Sequence, residues 1–332
     1  MKILGIETSC DDTSAAIVNE KFHIYSNIIS SQKIHNKFGG VVPELASREH
    51  IRGILPIVKL ALSAAKLDLS EIDAIAVSVR PGLIGSLLVG VSFAKSLAYC
   101  LEKPLISVNH ILGHICANFL EHRDIEFPFI SLIVSGGHTE LVKFQDIDNF
   151  EILGRTVDDA AGEAFDKIGK ILNLPFPGGP EIDRIAKMGD KNSIKFPLPM
   201  INKPNYDFSF SGLKTAAALY IQKNNLNLNS RKIYDFAASF QHAIVKVLFK
   251  KTIKAIQENG IKTFLLAGGV AANSKLRNIF ENYSNEHNLK VFFPTKKLCT
   301  DNAAMIAAAG IFKYQKKQFA DLKLNASSQK GL

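Results

Sequence analysis

Cysteine is scarce in this 332-residue chain, and its spacing excludes one class of metal site. The four cysteines, Cys10, Cys100, Cys116 and Cys299, form no CxxC pair. Thiolate-based zinc clusters normally use such pairs, and disulfide frameworks belong to oxidising compartments. We therefore expect reduced thiols and no cysteine-based zinc cluster.

Long apolar runs are also missing. No stretch approaches the ~18 consecutive apolar residues that a membrane span needs, and the first residues, MKILGIETSCDD, become acidic too early for a signal peptide. The content of 47% hydrophobic and 21% charged residues is typical of a globular protein with a large core. We expect a cytoplasmic protein of about two domains, without a membrane partner.

Acidic residues are outnumbered, with 31 Asp and Glu against 40 Lys and Arg, which gives a formal net charge of +9. A positive excess permits a polyanionic partner such as RNA. The surplus is scattered along the chain, so the charge alone does not identify that partner.

A loose internal repetition is the most informative pattern. KILGIETSC followed by TSAAIVN indicates strand, polar turn and strand, and FISLIVSGG followed by HTELVKF repeats this order. A third apolar segment, KTFLLAGGV, ends in two glycines before the helical pattern AANSKLRNIF. Small residues at such turns let backbone N–H groups approach an anion. The order indicates an α/β protein with the two-lobed actin-like ATPase fold, in which duplicated lobes surround a nucleotide cleft.

The repetition also predicts domain boundaries. Residues 1–108 are expected to form the first actin-like lobe, to which the C-terminal helices after about residue 302 return. Residues 109–301 are expected to form the second lobe, with inserted elements, and the polar residues 316–332 a frayed tail. The apolar segment GLIGSLLVGVSFAKSLAYCL is interpreted as a buried core helix, with a dimer surface as the alternative.

Two histidines in VNHILGHICANF stand four residues apart, so a helix would carry His110 and His114 on one face. This spacing suits two imidazoles on one metal ion, although helix histidines without a ligand have the same pattern. Metalloendopeptidases with the HExxH motif place a glutamate after the first histidine as general base. Ile111 occupies that position here, which disfavours a metalloendopeptidase.

Ten segments, taken in order, resemble the bacterial type of the universal tRNA threonylcarbamoyl transferase family, formerly named O-sialoglycoprotein endopeptidase. They extend from about residue 3 to about residue 310: GIETSCDDTSAAIV, GGVVPELASREHI, PGLIGSLLVG, NHILGH, LIVSGGHTEL, DDAAGEAFDKIGKIL, PGGPEID, DFSFSGLKT, LAGGVAANSKLR and CTDNAAMIA. The resemblance implies transfer of the threonylcarbamoyl group from threonylcarbamoyl-adenylate to the exocyclic amine of the adenosine adjacent to the anticodon, with release of AMP. Arg80 departs from the glycine common before PGLIG and puts the shape of that loop in doubt.

The resemblance also implies a metal site. Its ligands fall on His110, His114 and Asp301, and the ion is one divalent metal per subunit, iron(II) with zinc as the alternative. Two imidazoles and one carboxylate leave open positions on the ion, as a catalytic site requires. Taken alone, Asp301 could equally cap the Ala-rich helix that follows it.

The family's adenylate-binding residues can be carried over as well. Backbone amides of the SGG turn would bind the phosphate, two aspartates would accept hydrogen bonds from ribose hydroxyls, and a glycine and an asparagine amide would flank the adenine. ATP or AMP could occupy the same site. The residues are Ile133, Val134, Ser135, Gly136, Gly137, Asp166, Gly179, Asp183 and Asn273.

Carboxylates on the first turn, Glu7, Asp11 and Asp12, could orient or deprotonate the attacking amine. Asp11 and Asp12 match the family pattern and are the catalytic candidates, although turn chemistry favours aspartate in any protein. Arg48 and His50 are expected on an exposed segment that contacts RNA.

The resemblance implies tRNA as the substrate and two protein partners. These are a smaller paralogue of the same fold, which forms a heterodimer with the chain, and a P-loop ATPase. The alternatives from the same fold are an ATP-dependent sugar or acetate kinase and a nucleotide-gated binding module. Both would share the phosphate-binding turns, but neither requires a His–His–Asp metal site.

Overall fold

The computed structural model describes residues 1–226, 228, 230–329 and 331–332. Two compact units divide the chain: Met1–Asp124 with Lys297–Leu332 form the first, and Ile125–Lys296 form the second. The strands of the described residues are β1 (Lys2–Glu7), β2 (Asp12–Asn19), β3 (Ile24–Ser31), β4 (Ala74–Arg80), β5 (Leu105–Asn109), β6 (Phe129–Val134), β7 (Thr139–Asp146), β8 (Asn149–Arg155), β9 (Thr263–Ala267) and β10 (Lys290–Phe292). The α-helices are α1 (Pro43–Ala65), α2 (Ile84–Leu101), α3 (His110–Cys116), α4 (Ala161–Ile171), α5 (Gly178–Ala186), α6 (Ser211–Lys223), α7 (Lys232–Asn259), α8 (Ser274–Glu286), α9 (Lys296–Cys299) and α10 (Ala303–Gln315).

The first unit contains a mixed sheet with the strand order β3-β2-β1-β4-β5. Its first three strands are antiparallel neighbours, whereas β4 runs parallel to both β1 and β5. Leu4 and Ile6 of β1 share one apolar cluster with Ile54 and Val58 of α1 and Val91 of α2. The opposite face of the sheet is covered by α10, which explains why β1 is buried on both sides.

The second unit repeats this arrangement. Its sheet has the order β10-β9-β6-β7-β8, with β6, β7 and β8 antiparallel and β9 parallel to both β6 and β10. Numbered from the first strand of each unit, both sheets follow the order 3-2-1-4-5. The duplication predicted from the repeated strand, turn and strand is therefore confirmed.

Helix α10 lies directly on strand β1. A Cβ atom on Gly5 would stand 2.3 Å from the carbonyl oxygen of Ala303 and 2.8 Å from the nitrogen of Ala307, so only glycine permits this approach. The Asn302 side chain caps α10 by accepting a hydrogen bond from the Met305 N–H at 3.1 Å. The residue before this cap, Asp301, is therefore held at a fixed place relative to β1.

The units differ from the lobes expected from the sequence. The first unit continues to Asp124 rather than ending at residue 108, and it resumes at Lys297 rather than after about residue 302. The physical reason is packing: α3 contacts α10 as well as β5, so the histidine-bearing helix belongs to the first unit.

The segment that follows α10 is held against the first unit. The backbone N–H of Ala320 donates to the Leu105 carbonyl at 2.8 Å, and that of Ser327 donates to the Val79 carbonyl at 3.0 Å. The Asn109 side-chain amide donates to the Gly331 carbonyl at 2.9 Å. The segment was expected to fray because its side chains are largely polar. Instead, hydrogen bonds that involve its backbone groups attach it to the first unit.

Helix α2 is a core helix on one side only. Leu87 and Val91 are buried, whereas Ile84 is 47% exposed, Leu88 40% and Tyr99 70%. Among the described residues, α2 is the one helix long and apolar enough to cross a membrane, a property that core helices of soluble proteins share. The helix was expected to be buried, but one of its sides exposes apolar residues.

Candidate metal centre and nucleotide site

Three potential metal ligands meet in the first unit. The Asn109 side chain caps α3 by accepting hydrogen bonds from the N–H groups of Ile111 and Leu112, so α3 begins at His110 and carries His114 one turn later. Asp301 Oδ1 lies 3.5 Å from His110 Nε2 and 3.2 Å from His114 Nε2. The ligand set expected from the sequence is thus brought together within one unit, although Asp301 is remote in sequence.

The chemistry of this group fits a divalent metal. Nitrogen and oxygen ligands about 2.1 Å from one ion stand roughly 3–3.5 Å from each other, which matches the two distances to Asp301. Both ring nitrogens of His114 are buried and have no hydrogen-bond partner among the described residues. Because buried polar atoms normally have partners, a metal ion on one of these nitrogens would satisfy that nitrogen.

Glu7 lies behind the first histidine and is fully buried. Its Oε2 is 2.9 Å from His110 Nδ1, and the Ser9 hydroxyl is 3.0 Å from the same nitrogen. Burial alone would lower the pKa of His110, but the carboxylates of Glu7 and Asp301 outweigh burial and raise that pKa to about 9. Sequence reasoning placed Glu7 among the acids facing the amine, whereas it contacts His110.

Of the two catalytic candidates, Asp11 lies in the turn between β1 and β2, and Asp12 is the first residue of β2. Burial raises the pKa of Asp12, the Ser31 hydroxyl lowers it, and the nearby carboxylates, Asp301 first, raise it further, to about 7. A carboxyl group that titrates near neutrality has the property required of a general base.

His50 is buried rather than exposed, which corrects the expectation that it contacts RNA. Its Nε2–H donates to the Cys10 carbonyl at 2.9 Å, and its Nδ1 lies 2.8 Å from the Thr13 hydroxyl. The two ring nitrogens therefore support the residues on either side of Asp11 and Asp12. Arg48 is 65% exposed and pairs with Glu44. The buried positions of α1, spaced four apart at Ala46, His50 and Ile54, were the signal in the sequence that could have revealed this.

The expected phosphate turn follows β6 in the second unit. Ile133 and Val134 are the last residues of this buried strand, and Ser135 begins the turn. The Ser135 N–H donates to the His138 carbonyl at 2.8 Å, which uses this amide within the turn. Gly136 and Gly137 are exposed, and a Cβ atom on Gly137 would meet nothing within 4 Å. These two glycines are therefore the residues whose amides can approach an anion.

Helix α4 begins beside this turn. A Cβ atom on Gly162 would lie 2.4 Å from the Ser135 carbonyl oxygen, so the first turn of α4 touches the backbone of the phosphate turn. One turn further along α4, the Asp166 carboxylate accepts hydrogen bonds from the N–H groups of Gly178 at 2.8 Å and Gly179 at 3.3 Å. Burial raises the pKa of Asp166 although these N–H groups oppose the shift.

Asp183 joins α5 to the beginning of α8. It accepts hydrogen bonds from the N–H and hydroxyl of Ser274 and from the Gln241 amide, at 3.2, 2.8 and 2.5 Å. The Asn273 side-chain oxygen caps α8 by accepting from the Leu276 N–H at 3.0 Å, which leaves its amide N–H groups as donors. The residues expected to bind adenylate thus lie at the end of β6 and the turn after it, within α4 and α5, and at the cap of α8.

Solved structures with a similar fold are actin-like ATPase proteins. HypF from T. kodakarensis matches with a TM-score of 0.63 at 15% identity, covering 95% of this chain and 48% of that chain. Component A of the (R)-2-hydroxyglutaryl-CoA dehydratase from Acidaminococcus fermentans matches with a TM-score of 0.55 at 13% identity, covering 95% and 98%. The actin-like fold expected from the sequence is therefore confirmed.

Sequence relatives are much more similar. A protein from Syntrophomonas wolfei is 55% identical over 98% of this chain and 96% of its own length, and one from Thermosipho africanus is 52% identical over 98% of both. Both are named tRNA N6-adenosine threonylcarbamoyltransferase. The family of the same description matches residues 23–308. A match over this much of the sequence shows that the chain belongs to the tRNA N6-adenosine threonylcarbamoyltransferase family.

Proposed function

We propose that this acyltransferase takes its threonylcarbamoyl group from threonylcarbamoyl-adenylate. The exocyclic amine of the adenosine adjacent to the anticodon attacks the carbamoyl carbon, the bond from that carbon to the phosphate oxygen breaks, and AMP leaves. A base in the anticodon loop can be splayed out for this attack because it is not part of a duplex. The observation that supports this proposal is the His110–His114–Asp301 group, whose ligand atoms lie close enough together to hold one metal ion.

The metal would be held by His110, His114 and Asp301, with iron(II) as the proposed ion and zinc as the alternative. When bound, it would supply Lewis-acid stabilisation of the negative charge that develops on the carbamoyl oxygen. The residues themselves would fix where that charge is received, because His110 and His114 lie on α3 and Asp301 directly precedes the Asn302 cap of α10.

The adenylate would be bound by residues of the second unit. Gly136 and Gly137 would donate backbone N–H groups to the phosphate, with Ile133, Val134 and Ser135 shaping the turn that presents them. Asp166 and Asp183 keep acceptor capacity beyond their present hydrogen bonds and would receive the ribose hydroxyls. Gly179 and the Asn273 amide would flank the adenine, and ATP or AMP would use the same contacts.

Proton transfer is assigned to the first turn. AMP is a good leaving group and an adenine amine is a poor nucleophile, so positioning and deprotonating the amine is the larger task. Asp12 is proposed as the base and Asp11 as the group that orients the amine. The supporting observation is that the pKa of Asp12 is raised to about 7.

Two protein partners are proposed, a smaller paralogue of the same fold and a P-loop ATPase, all acting in the cytoplasm. The paralogue is assigned to the exposed apolar side of α1 and α2, which pack against each other. Ile51 is 66% exposed and Leu55 50%, one turn apart on α1, while Ile84 and Leu88 form the matching pair on α2. Apolar side chains that remain exposed on two packed helices favour a protein partner over water.

The test is reconstitution with purified chain, partners, threonylcarbamoyl-adenylate and tRNA, followed by mass spectrometry of the tRNA nucleosides. We expect Asp301→Ala to reduce modification by about 100-fold or more, because a divalent ion stabilises the charge of the transition state by several kcal/mol. His287→Ala, at a half-exposed histidine that directly follows α8, is the control and should retain full activity. Normal modification by Asp301→Ala would contradict the metal centre.

A further inference from the structure

The two histidines of the metal centre are held in different ways. His110 Nδ1 has two oxygen neighbours, Glu7 Oε2 at 2.9 Å and the Ser9 hydroxyl at 3.0 Å. Neither ring nitrogen of His114 has a hydrogen-bond partner among the described residues. Hydrogen bonds to neighbouring side chains therefore orient the His110 ring, whereas the described residues offer the His114 ring no such bond.

Glu7 itself is fixed from the opposite side. It is the last residue of β1 and is fully buried. Its Oε1 accepts hydrogen bonds from the Ser9 N–H at 2.5 Å and from the hydroxyl of Ser78, on the neighbouring strand β4, at 3.1 Å. With Oε1 committed to these donors, Oε2 is directed at His110.

We propose that Glu7 is a positioning residue for the metal centre. By accepting a hydrogen bond from His110 Nδ1–H, it keeps the proton on Nδ1 and leaves the Nε2 lone pair for the ion that Asp301 shares. Its negative charge also makes His110 a more basic ligand and offsets part of the charge of the ion. This inference rests on the proposed metal centre of His110, His114 and Asp301.

The arrangement of donors predicts what an amide would do at this position. The Ser9 N–H can only donate, so in Glu7→Gln the side-chain oxygen must remain at the Oε1 position. The NH₂ group then faces His110 Nδ1 and donates to it. The ring proton must move to Nε2, which is the nitrogen that the metal requires. Glu7→Gln therefore preserves size and most hydrogen bonds but selects the wrong tautomer.

Zinc affinity tests this directly, by competition between the metal-free protein and a chromophoric chelator with Zn²⁺ as the probe. We expect Glu7→Gln to bind Zn²⁺ about 10- to 100-fold more weakly than the wild type. The matched control is Glu71→Gln, since Glu71 is a carboxylate of the same unit that pairs with Lys2 instead of a histidine. The control should bind Zn²⁺ as the wild type does.

A second measurement is made on the wild type and reports the tautomer of His110. In the Zn²⁺-bound wild type labelled with ¹⁵N-histidine, we expect the His110 imidazole to carry its proton on Nδ1, with the resonance assigned by its loss in His110→Gln. Circular dichroism shows whether Glu7→Gln is folded. If Glu7→Gln is unfolded, Glu7→Asp is used in its place. Glu7→Asp keeps the charge but withdraws the carboxylate from the ring, so weaker Zn²⁺ binding is again expected.

The outcomes separate this inference from the metal centre. Equal Zn²⁺ affinity in the wild type and in His114→Ala would overturn the metal centre itself. If His114→Ala loses Zn²⁺ while a folded Glu7→Gln binds as tightly as the wild type, the positioning role alone is overturned. A His110 proton on Nε2 in the Zn²⁺-bound wild type would overturn it as well.

Discussion

Asp301 Oδ1 lies 3.2 Å from Nε2 of His114, while the residue that follows it, Asn302, caps helix α10. From the sequence, Asp301 could have been either a metal ligand or the cap of the following helix. In the structure Asn302 is the cap, which leaves Asp301 available as a ligand. This division makes the two roles experimentally separable.

Substitution of Asn302 should affect mainly stability, whereas substitution of Asp301 should affect mainly metal binding. Asn302→Ala should reduce the free energy of unfolding by about 1 kcal/mol, as loss of a cap does. Asp301→Asn should lower the metal content of dialysed protein strongly while changing thermal stability of the metal-free protein little. Metal content by mass spectrometry and melting in a chelator distinguish them. Retained metal in Asp301→Asn would contradict its role as a ligand.

The contact between β1 and α10 predicts a large effect from a single methyl group. In Gly5→Ala the added Cβ would clash with the backbone of Ala303 and Ala307, with a cost of about 1–3 kcal/mol from overpacking. Displacement of α10 should also weaken metal binding, because Asp301 precedes that helix. The control is Gly53→Ala within α1, where the new Cβ meets only ordinary contacts with Thr13. This control should gain about 0.5–1 kcal/mol in chemical denaturation.

The raised pKa of Asp12 makes stability depend on pH in a defined direction. Its pKa moves from the ordinary 3.8 to about 7 on folding, so the folded protein binds more protons in that range. The stability contributed by Asp12 is then lost as pH rises from about 4 to about 7. Asp12→Asn removes the titrating group. The melting temperature of Asp12→Asn relative to the wild type, both metal-free, should therefore be higher at pH 8 than at pH 5. An equal difference at both pH values would show that Asp12 does not titrate there.

The exposed apolar side of α1 and α2 predicts where the paralogue binds. Combining Leu55→Asp and Leu88→Asp should abolish the heterodimer in size-exclusion chromatography with light scattering. Stability should change by no more than about 0.5 kcal/mol, since both side chains are exposed. Val157→Asp, at a 62% exposed position of the second unit, should leave the heterodimer intact. A heterodimer that survives the double substitution would exclude this surface.

Local patterns in the sequence predicted the parts of the fold that depend on near neighbours. Apolar strands interrupted by small turn residues predicted both sheets, and the four-residue spacing of His110 and His114 predicted a shared helix face. Asp301 was identified through the family resemblance. Nothing in a local segment specifies a contact between α3 and a residue that follows the whole second unit in the sequence. Residues whose roles depend on burial were assigned wrongly: His50 was expected at the surface and supports a turn instead.

The role of Glu7 could not be predicted from the sequence either, for a physical reason. A carboxylate at the end of a strand is typical of an exposed turn, and here the Ser9 N–H, the hydroxyl of Ser78 and the ring of His110 make its burial favourable. Ser78 lies on β4, which follows β1 in the chain only after β2, β3 and the long helix α1. Sequence reasoning identifies the acid, but pairing of the two strands decides which group it faces.

The side chain of Asn109 has a consequence for how the protein can be trimmed. Its oxygen caps the helix that begins with His110, and its amide holds the carbonyl of Gly331. We expect deletion of the segment beyond Ala326 to release that amide and to loosen the cap on the helix that carries His110 and His114. A shortened version chosen to improve crystallisation should therefore be disturbed at the proposed metal centre, far from the deletion in sequence.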